Sequence, residues 1–325
     1  MRIAVQMDPL SSIDVSGDSS WMMILEALRR GFEVYHYHPD DLSFDTQAGI
    51  WARMSLLTMQ KAALEGVPSL SDLEITEPKN RHLSDFDAIL MRQDPPFDMH
   101  YLSATYILER LPAHVVLVNN PAEVRNAPEK ILAMDFPDLM PPTIISADRA
   151  ALESFRAEHQ DVIVKPLYGN GGIGIYHLRP EDDNFSSLFE MHQAHWHSPI
   201  QMQKFLPEVS LGDKRILLID GVAVGAIDRL PAAGQVRANM HVGGSAQKVD
   251  LSPRDQEICA RIGSTLRELG MIFVGIDIIG GYLTEINVTS PTGIQEINRF
   301  NDVQIESLLW DSIVQHRHQR QGNRS

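Results

Sequence analysis

The segment that most restricts this chain lies near its C-terminal end: Ile276-Asp277-Ile278-Ile279-Gly280-Gly281-Tyr282-Leu283-Thr284-Glu285-Ile286-Asn287-Val288. Two apolar runs flank a glycine pair, so the segment reads as an antiparallel hairpin. Glu285 and Asn287 stand two apart in an otherwise apolar strand and therefore share one face. Two registers are open. A three-residue turn, Gly280-Gly281-Tyr282, sets Ile279 against Leu283 and Asp277 directly across from Glu285. A two-residue turn sends the two acids to opposite faces. The three-residue turn is the expectation. Two carboxylates and an amide oxygen are hard donors suited to Mg²⁺ or Mn²⁺ that also hold phosphate. Unpaired carboxylates directly opposite each other would repel, which favours a metal between them. The plain alternative is the polar face of a half-exposed hairpin.

The rest of the chain frames that hairpin. Residues 2–7 read as a buried strand stopped by Asp8-Pro9, and Asp18 or Ser19 can cap a helix that runs to about Arg30. Residues 32–36 form a second strand, so the chain opens β-α-β and predicts an α/β sheet. Residues 43–82 give mixed patterns. A strand over 87–91, a helix around 103–110 and a strand over 115–118 complete the first unit, which ends near residue 126 in turn-rich Asn126-Ala127-Pro128. Beyond it the strands read as hairpins: 162–165 with 173–178, 215–219 with 222–227, and 272–278 with 283–288. A helix over 253–269 separates the last two. The expected fold class is α/β followed by α+β with antiparallel sheets. The polar stretch after Ser312 is expected to fray.

Composition narrows the functional classes. The chain has 43 Asp+Glu against 28 Lys+Arg, a formal net charge of -15. Residues 1–126 hold 10 basic and 18 acidic residues and the remainder holds 18 and 25, so the excess is -8 and -7. Acidity this evenly spread is a solubility feature rather than a tail, and it argues against nucleic acid as a partner. The single cysteine, Cys259, rules out an internal disulfide framework and suits a reducing cytosol. No apolar stretch approaches ~20 residues and no signal-like N-terminus is visible, so a cytoplasmic protein with no membrane partner is expected.

Gly169-Asn170-Gly171-Gly172-Ile173-Gly174 matches G-x-G-x-x-G, but a dinucleotide fingerprint needs a helix after the loop. Here residues 173–178 alternate like a strand. What remains is a strand–glycine loop–strand flap whose bare backbone can approach phosphates, with a flexible hairpin tip as the plain alternative. Lys165 closes an apolar strand just before the flap. Lys130, Lys214, Arg215, Arg229 and Arg237 each read singly as surface charges, yet together they can furnish a polyanion cleft. His192, His195 and His197 match no recognised zinc spacing. Ser19, Ser20 and Cys259 have no convincing base partner, so no covalent nucleophile is expected.

A lysine, a glycine flap, distal cations and an acid/amide hairpin resemble the ATP-grasp carboxylate–amine ligases. Met7-Asp8-Pro9, Asp18-Ser19-Ser20, Leu90-Met91-Arg92-Gln93-Asp94-Pro95-Pro96-Phe97-Asp98, Gly212-Asp213-Lys214-Arg215 and Leu283-Thr284-Glu285-Ile286-Asn287-Val288-Thr289-Ser290-Pro291-Thr292 are similar to the prokaryotic-type glutathione synthetases. The resemblance runs to about residue 312. It implies an N-terminal (pre-ATP-grasp) substrate domain over 1–126, a lid subdomain over 127–204, a catalytic subdomain over 205–315 and a flexible tail over 316–325. It also implies ATP-dependent ligation of γ-glutamylcysteine with glycine, in a cytoplasmic homotetramer. On that resemblance Lys130 and Lys165 hold ATP phosphates beneath the loop Gly169, Asn170, Gly171, Gly172, Ile173 and Gly174, while Gln203, Phe205 and Leu206 form the adenine linker. Asp277, Glu285 and Asn287 bind two Mg²⁺ ions, with Mn²⁺ as a substitute. Arg92, Arg215, Arg229, Arg237, Asn239, Ser290 and Thr292 line the peptide and acyl-phosphate site, and Lys165, Arg215 and Arg229 carry the catalysis. Two alternatives stand beside it. Another ATP-grasp peptide or amino-acid ligase would share the hairpin but not the Arg92 segment, and a non-catalytic nucleotide sensor would not need all three metal ligands.

Overall fold

A computed structural model describes residues 1–232 and 244–322. The first sheet contains β1 (Arg2–Gln6), β2 (Glu33–Tyr37), β3 (Leu42–Asp45), β4 (Gly49–Met59), β5 (Leu73–Ile75), β6 (Lys79–His82), β7 (Ala88–Met91) and β8 (Val116–Val118). Its order is β3-β4-β2-β1-β7-β8, with β5 and β6 also paired to β4. The parallel part, β2-β1-β7-β8, is the expected β-α-β opening. Its crossovers carry α1 (Ser19–Arg29) and, after the single turn α2 (Lys61–Leu64), α3 (Met99–Leu108). Asp18 caps α1 by accepting from the Trp21 amide at 2.6 Å. The third helix starts at Met99 rather than near Ser103, because Asp98 accepts from the His100 and Tyr101 amides. Residues 43–82 form an antiparallel meander on β4. Its outer strands are largely exposed, so no inward stripe marks them in the sequence.

After the short helices α4 (Pro121–Asn126) and α5 (Glu129–Leu132) comes the second sheet. It is built from β9 (Thr143–Ser146), α6 (Arg149–His159), β10 (Val162–Pro166), β11 (Tyr176–Leu178), α7 (Phe185–Trp196) and β12 (Ile200–Lys204). Strand order is β11-β10-β12-β9, all antiparallel. The third sheet, β15-β14-β13-β16-β17, joins β13 (Asp213–Ile219), β14 (Val222–Leu230), β15 (Ser245–Lys248), β16 (Phe273–Ile279) and β17 (Tyr282–Asn287). Helix α8 (Pro253–Glu268) precedes β16, and α9 (Ile294–Asn301) and α10 (Ile305–Gly322) close the described chain.

Burial divides the molecule in a way the strand pattern does not show. The second sheet has its own small core of Leu152, Val162, Val164, Leu178, Phe185, Leu188, Ile200 and Met202. The first and third sheets share two larger cores: Ile3, Val5, Ile24 and Trp310 pack in one cluster with Leu217, Ile227 and Phe273. Asn119 stitches the two sheets together, donating to the Phe273 and Val288 carbonyls at 2.8 and 2.7 Å and accepting from the Phe273 amide at 2.8 Å. The expected frayed tail is corrected by the same docking. Residues to Gly322 are helical, and Arg317 reaches Asp87 at 2.7 Å while Arg320 reaches the Val115 carbonyl at 2.6 Å.

Candidate active site

The site grows out of the registers of the third sheet. Arg215 on β13 lies opposite Asp277 on β16, Asp277 lies opposite Glu285 on β17, and Asp213 lies opposite Arg229 on β14. Asp213 and Arg215 are two apart, as are Glu285 and Asn287, so one face gathers all of these side chains. Lys214, between them in sequence, points the other way and pairs with Asp255 at the start of α8.

The acids face each other by a route different from the expected one. Gly280 and Gly281, with φ of +57° and +79°, form a two-residue turn that pairs Ile279 with Tyr282. That turn alone would put Asp277 and Glu285 on opposite faces. A β-bulge at Thr284 shifts the register by one and brings them back together. The Thr284 hydroxyl, buried, donates to the Asp277 carbonyl at 3.1 Å and holds the bulge.

Each carboxylate is met by two cations. Arg215 grips Asp277 through Nε at 2.5 Å and Nη2 at 2.9 Å, and Arg229 Nη2 lies 3.0 Å from the same carboxylate. Burial pushes Asp277 up, but the two guanidinium groups outweigh it and hold the carboxyl well below the usual carboxylate range. Glu285 lies 3.6 Å from Lys165 Nζ and 3.8 Å from Lys130 Nζ. Burial opposes its ionisation as well, and Lys130 and Lys165 again prevail, so its pKa is lowered. Asp213 accepts from Arg229 at 2.7 Å, yet burial and neighbouring Asp277 leave its carboxyl raised to about 6. Asn287 Nδ2 donates to Asp277 at 3.3 Å.

The second sheet brings Lys165 and the short helix α5 brings Lys130. Lys165 Nζ donates to Gln203 Oε1 at 3.3 Å, and Lys130 Nζ to the Gly169 carbonyl at 2.8 Å. The flap strand is shorter than expected: it begins at Tyr176, because Gly171, Gly172 and Gly174 all take positive φ and break the extended run, leaving Ile173 exposed. The loop glycines divide by role. A Cβ on Gly169 or Gly174 would meet Pro166 Cγ at 2.7 or 2.8 Å, so these two fold the loop over Pro166, whereas Gly171 has open space. Gly169, Asn170, Gly171, Gly172 and Ile173 line the cavity and Gly174 does not. In the linker, Gln203, Phe205 and Leu206 line it too. The Phe205 amide donates to the Asp161 carbonyl at 2.9 Å.

All these groups open on one cavity of about 600 Å³ between the sheets, lined also by Arg92, Ser290 and Thr292. Arg237 and Asn239 lie outside the described residues. His192 is buried against Trp196, ring centroids 6.4 Å apart, away from this cavity. No helix among the described residues is long and apolar enough to cross a membrane.

Comparison with known families decides the assignment. The prokaryotic glutathione synthetase N-terminal domain matches residues 1–125, and the ATP-grasp domain of the same family matches residues 129–302. The chain belongs to the prokaryotic glutathione synthetase family. Proteins named glutathione synthetase are 50% identical over 313 residues in Mesorhizobium japonicum, covering 96% of this chain and 98% of the relative. In Vibrio vulnificus one is 41% identical over 315 residues, covering 96% and 97%. ATP-dependent synthesis of glutathione, by a ligase that uses ATP and a divalent metal, is the activity of this glutathione synthetase family member. Similar solved structures share the fold at low identity. A D-cycloserine synthetase has a TM-score of 0.65 at 17% identity, covering 98% of this chain and 100% of that one. The D-alanine–D-alanine ligase of Bacillus anthracis with ATP has a TM-score of 0.60 at 15% identity, covering 99% of each.

Sequence reasoning missed several residues of this synthetase site. Asp213 was legible as sharing a face with Arg215 at a spacing of two. Glu129, beside Lys130, accepts from Thr289 Oγ1 at 2.8 Å, and its burial raises its pKa. Glu296 lines the cavity from a helix distant in sequence and no local pattern marks it, while Asp8 and Asp18 join it from the first βα loop.

Proposed function

We propose that this site makes glutathione through an acyl phosphate. A cysteinyl carboxylate oxygen of γ-glutamylcysteine attacks the γ-phosphorus of ATP, and the bond to the ADP oxygen breaks. The glycine amine then attacks the acyl carbon and phosphate leaves. Lys130 and Lys165 would hold the nucleotide phosphates beneath the 169–173 flap. Arg215 and Arg229 would face the acyl phosphate and the tetrahedral oxyanion that forms as the amine adds. Gln203 and the linker to Leu206 would seat the adenine. Closure of the flap would keep water from hydrolysing the acyl phosphate.

The observation that carries this reading is the charge arrangement around one cavity. Lys130, Lys165, Arg215 and Arg229 are matched there by Glu129, Asp213, Asp277 and Glu285. Four positive against four negative groups leave little net charge. An ATP of about four negative charges then calls for about two divalent cations to restore balance. Asp277, Glu285 and Asn287 are hard oxygen donors on one face and fit Mg²⁺, or Mn²⁺, in that role. Such ions, when bound, offset charge on the phosphoryl group. Residues 1–126, 127–204 and 205–315 would serve as substrate wall, lid and catalytic sheet of a cytoplasmic homotetramer, whose assembly light scattering would measure. The test of the reaction is coupled ADP release with γ-glutamylcysteine and glycine, compared with other dipeptides and amines. Absence of ADP with that pair would overturn the proposal.

A further inference from the structure

The first βα loop, the segment around Arg92 and α9 form a further part of the cavity lining. Gln295 Nε2 donates to the Val15 and Asp18 carbonyls at 2.9 and 3.0 Å and pins α9 to the loop. A Cβ on Gly17 would lie 3.8 Å from Glu296 Oε1, so the loop passes Glu296 at van der Waals distance. Arg92, 5% exposed, is fixed by Nε to Ser20 Oγ at 3.0 Å and by Nη2 to the Pro291 carbonyl at 3.1 Å. Its Nη1 is buried with no hydrogen-bond partner among the described residues, and so is Oε2 of Glu296. Both residues line the cavity, as does Asp18, whose charge acts on Arg92. A buried guanidinium nitrogen and a buried carboxylate oxygen left without partners are costly unless a ligand completes them.

We propose that Arg92 and Glu296 read the α-amino-acid head of the γ-glutamyl group, Arg92 Nη1 taking its α-carboxylate and Glu296, with Asp18, its α-ammonium. The assignment rests on the glutathione-forming reading of the site. A γ-linkage leaves both α-groups free, so the dipeptide presents a zwitterion at the end remote from the reacting cysteinyl carboxylate. A cation and an acid that line the same cavity, each with an unpartnered buried atom, match that zwitterion. An α-linked dipeptide has spent its α-carboxylate in the amide bond and would leave Arg92 unpaired, so the same pair selects the linkage. Remote binding of this kind positions the reacting end without touching it.

The test measures coupled ADP release with glycine and three acyl substrates. These are γ-glutamylcysteine, glutarylcysteine (no α-ammonium) and 4-aminobutyrylcysteine (no α-carboxylate). Each lost charge is expected to lower kcat/KM by about 10- to 150-fold, mostly through KM. Glu296→Gln should lose a similar factor with γ-glutamylcysteine and handle glutarylcysteine as the unmodified chain does. Use of glutarylcysteine by the unmodified chain within about threefold of γ-glutamylcysteine would overturn the assignment. So would a Glu296→Gln variant that loses equally with both, the mark of a merely structural role. If the unmodified chain releases no ADP with γ-glutamylcysteine and glycine, the underlying reading fails first and the assignment with it.

Discussion

Glu285 answers to two lysines, one on α5 and one on β10, and Asp277 to two arginines from its own sheet. Lysine and arginine are not exchangeable here. Arg215 spans both oxygens of Asp277 with its planar fork, while Lys165 is a compact charge free to follow a phosphate. Lys165→Ala is therefore expected to fold and to lose about 10²- to 10³-fold in kcat, read by ADP release. Lys214→Ala is the matched comparison, because Lys214 sits next to Arg215 and faces away toward Asp255. It should lower Tm and keep kcat; near-normal turnover in Lys165→Ala would remove that lysine from the chemistry. Cys259 plays no part in this chemistry: it is buried on α8, and burial pushes its thiol up to about 11.

In the β16–β17 hairpin, two errors of reading cancel. The alternation of Glu285 and Asn287 and the apolar flanks were legible, and so was the pairing of Asp277 with Glu285. The means were not, because a turn of two residues plus a bulge and a turn of three give the same facing pair. The pairing of Ile279 with Tyr282 and the bulge at Thr284 tell them apart. The flap failed differently. Its alternating letters at 173–178 suggested a strand, but backbone signs at Gly172 and Gly174 overrule side-chain pattern. The cavity's acidic wall was illegible because Asp18 and Glu296 meet only through tertiary docking. The turn yields a direct test. With positive φ at both central positions, Gly281→Asn should be tolerated, a Cβ there meeting only Arg254 Cγ at 3.4 Å, and Gly281→Val should cost about 1–2 kcal/mol, lowering Tm by roughly 2–8 °C. Calorimetry showing equal Tm for the two variants would count against the two-residue turn.

At the scale of the whole molecule, the fold separates a second sheet with its own core from a base in which the first and third sheets are fused. The C-terminal helix is part of that fusion. Trp310 of α10 is buried and donates Nε1 to the Met23 carbonyl at 2.9 Å, which joins the helix to α1. Two carboxylates then clamp its polar end. Asp220 accepts from Ser312 at 2.5 Å and contacts His316 at 2.8 Å, and Asp87 accepts from Arg317 at 2.7 Å and from the Arg2 amide at 2.8 Å. Burial raises both carboxyls, but these donors outweigh it and hold both below the usual range. A carboxyl with a lowered native pKa stabilises the fold above its ordinary value near 4, where the unfolded chain would still bind a proton on the way down. That stabilisation is lost as pH falls from about 5 through 4 and below. An Asp87→Asn/Asp220→Asn variant should thus be about 1–2 kcal/mol less stable than the parent at pH 7. The difference should shrink toward pH 3, so that plots of Tm against pH converge. Parallel plots would mean that the acid response resides elsewhere and that the clamp contributes little. Convergence would place a pH-sensitive joint where the helix closes the base that carries the third sheet.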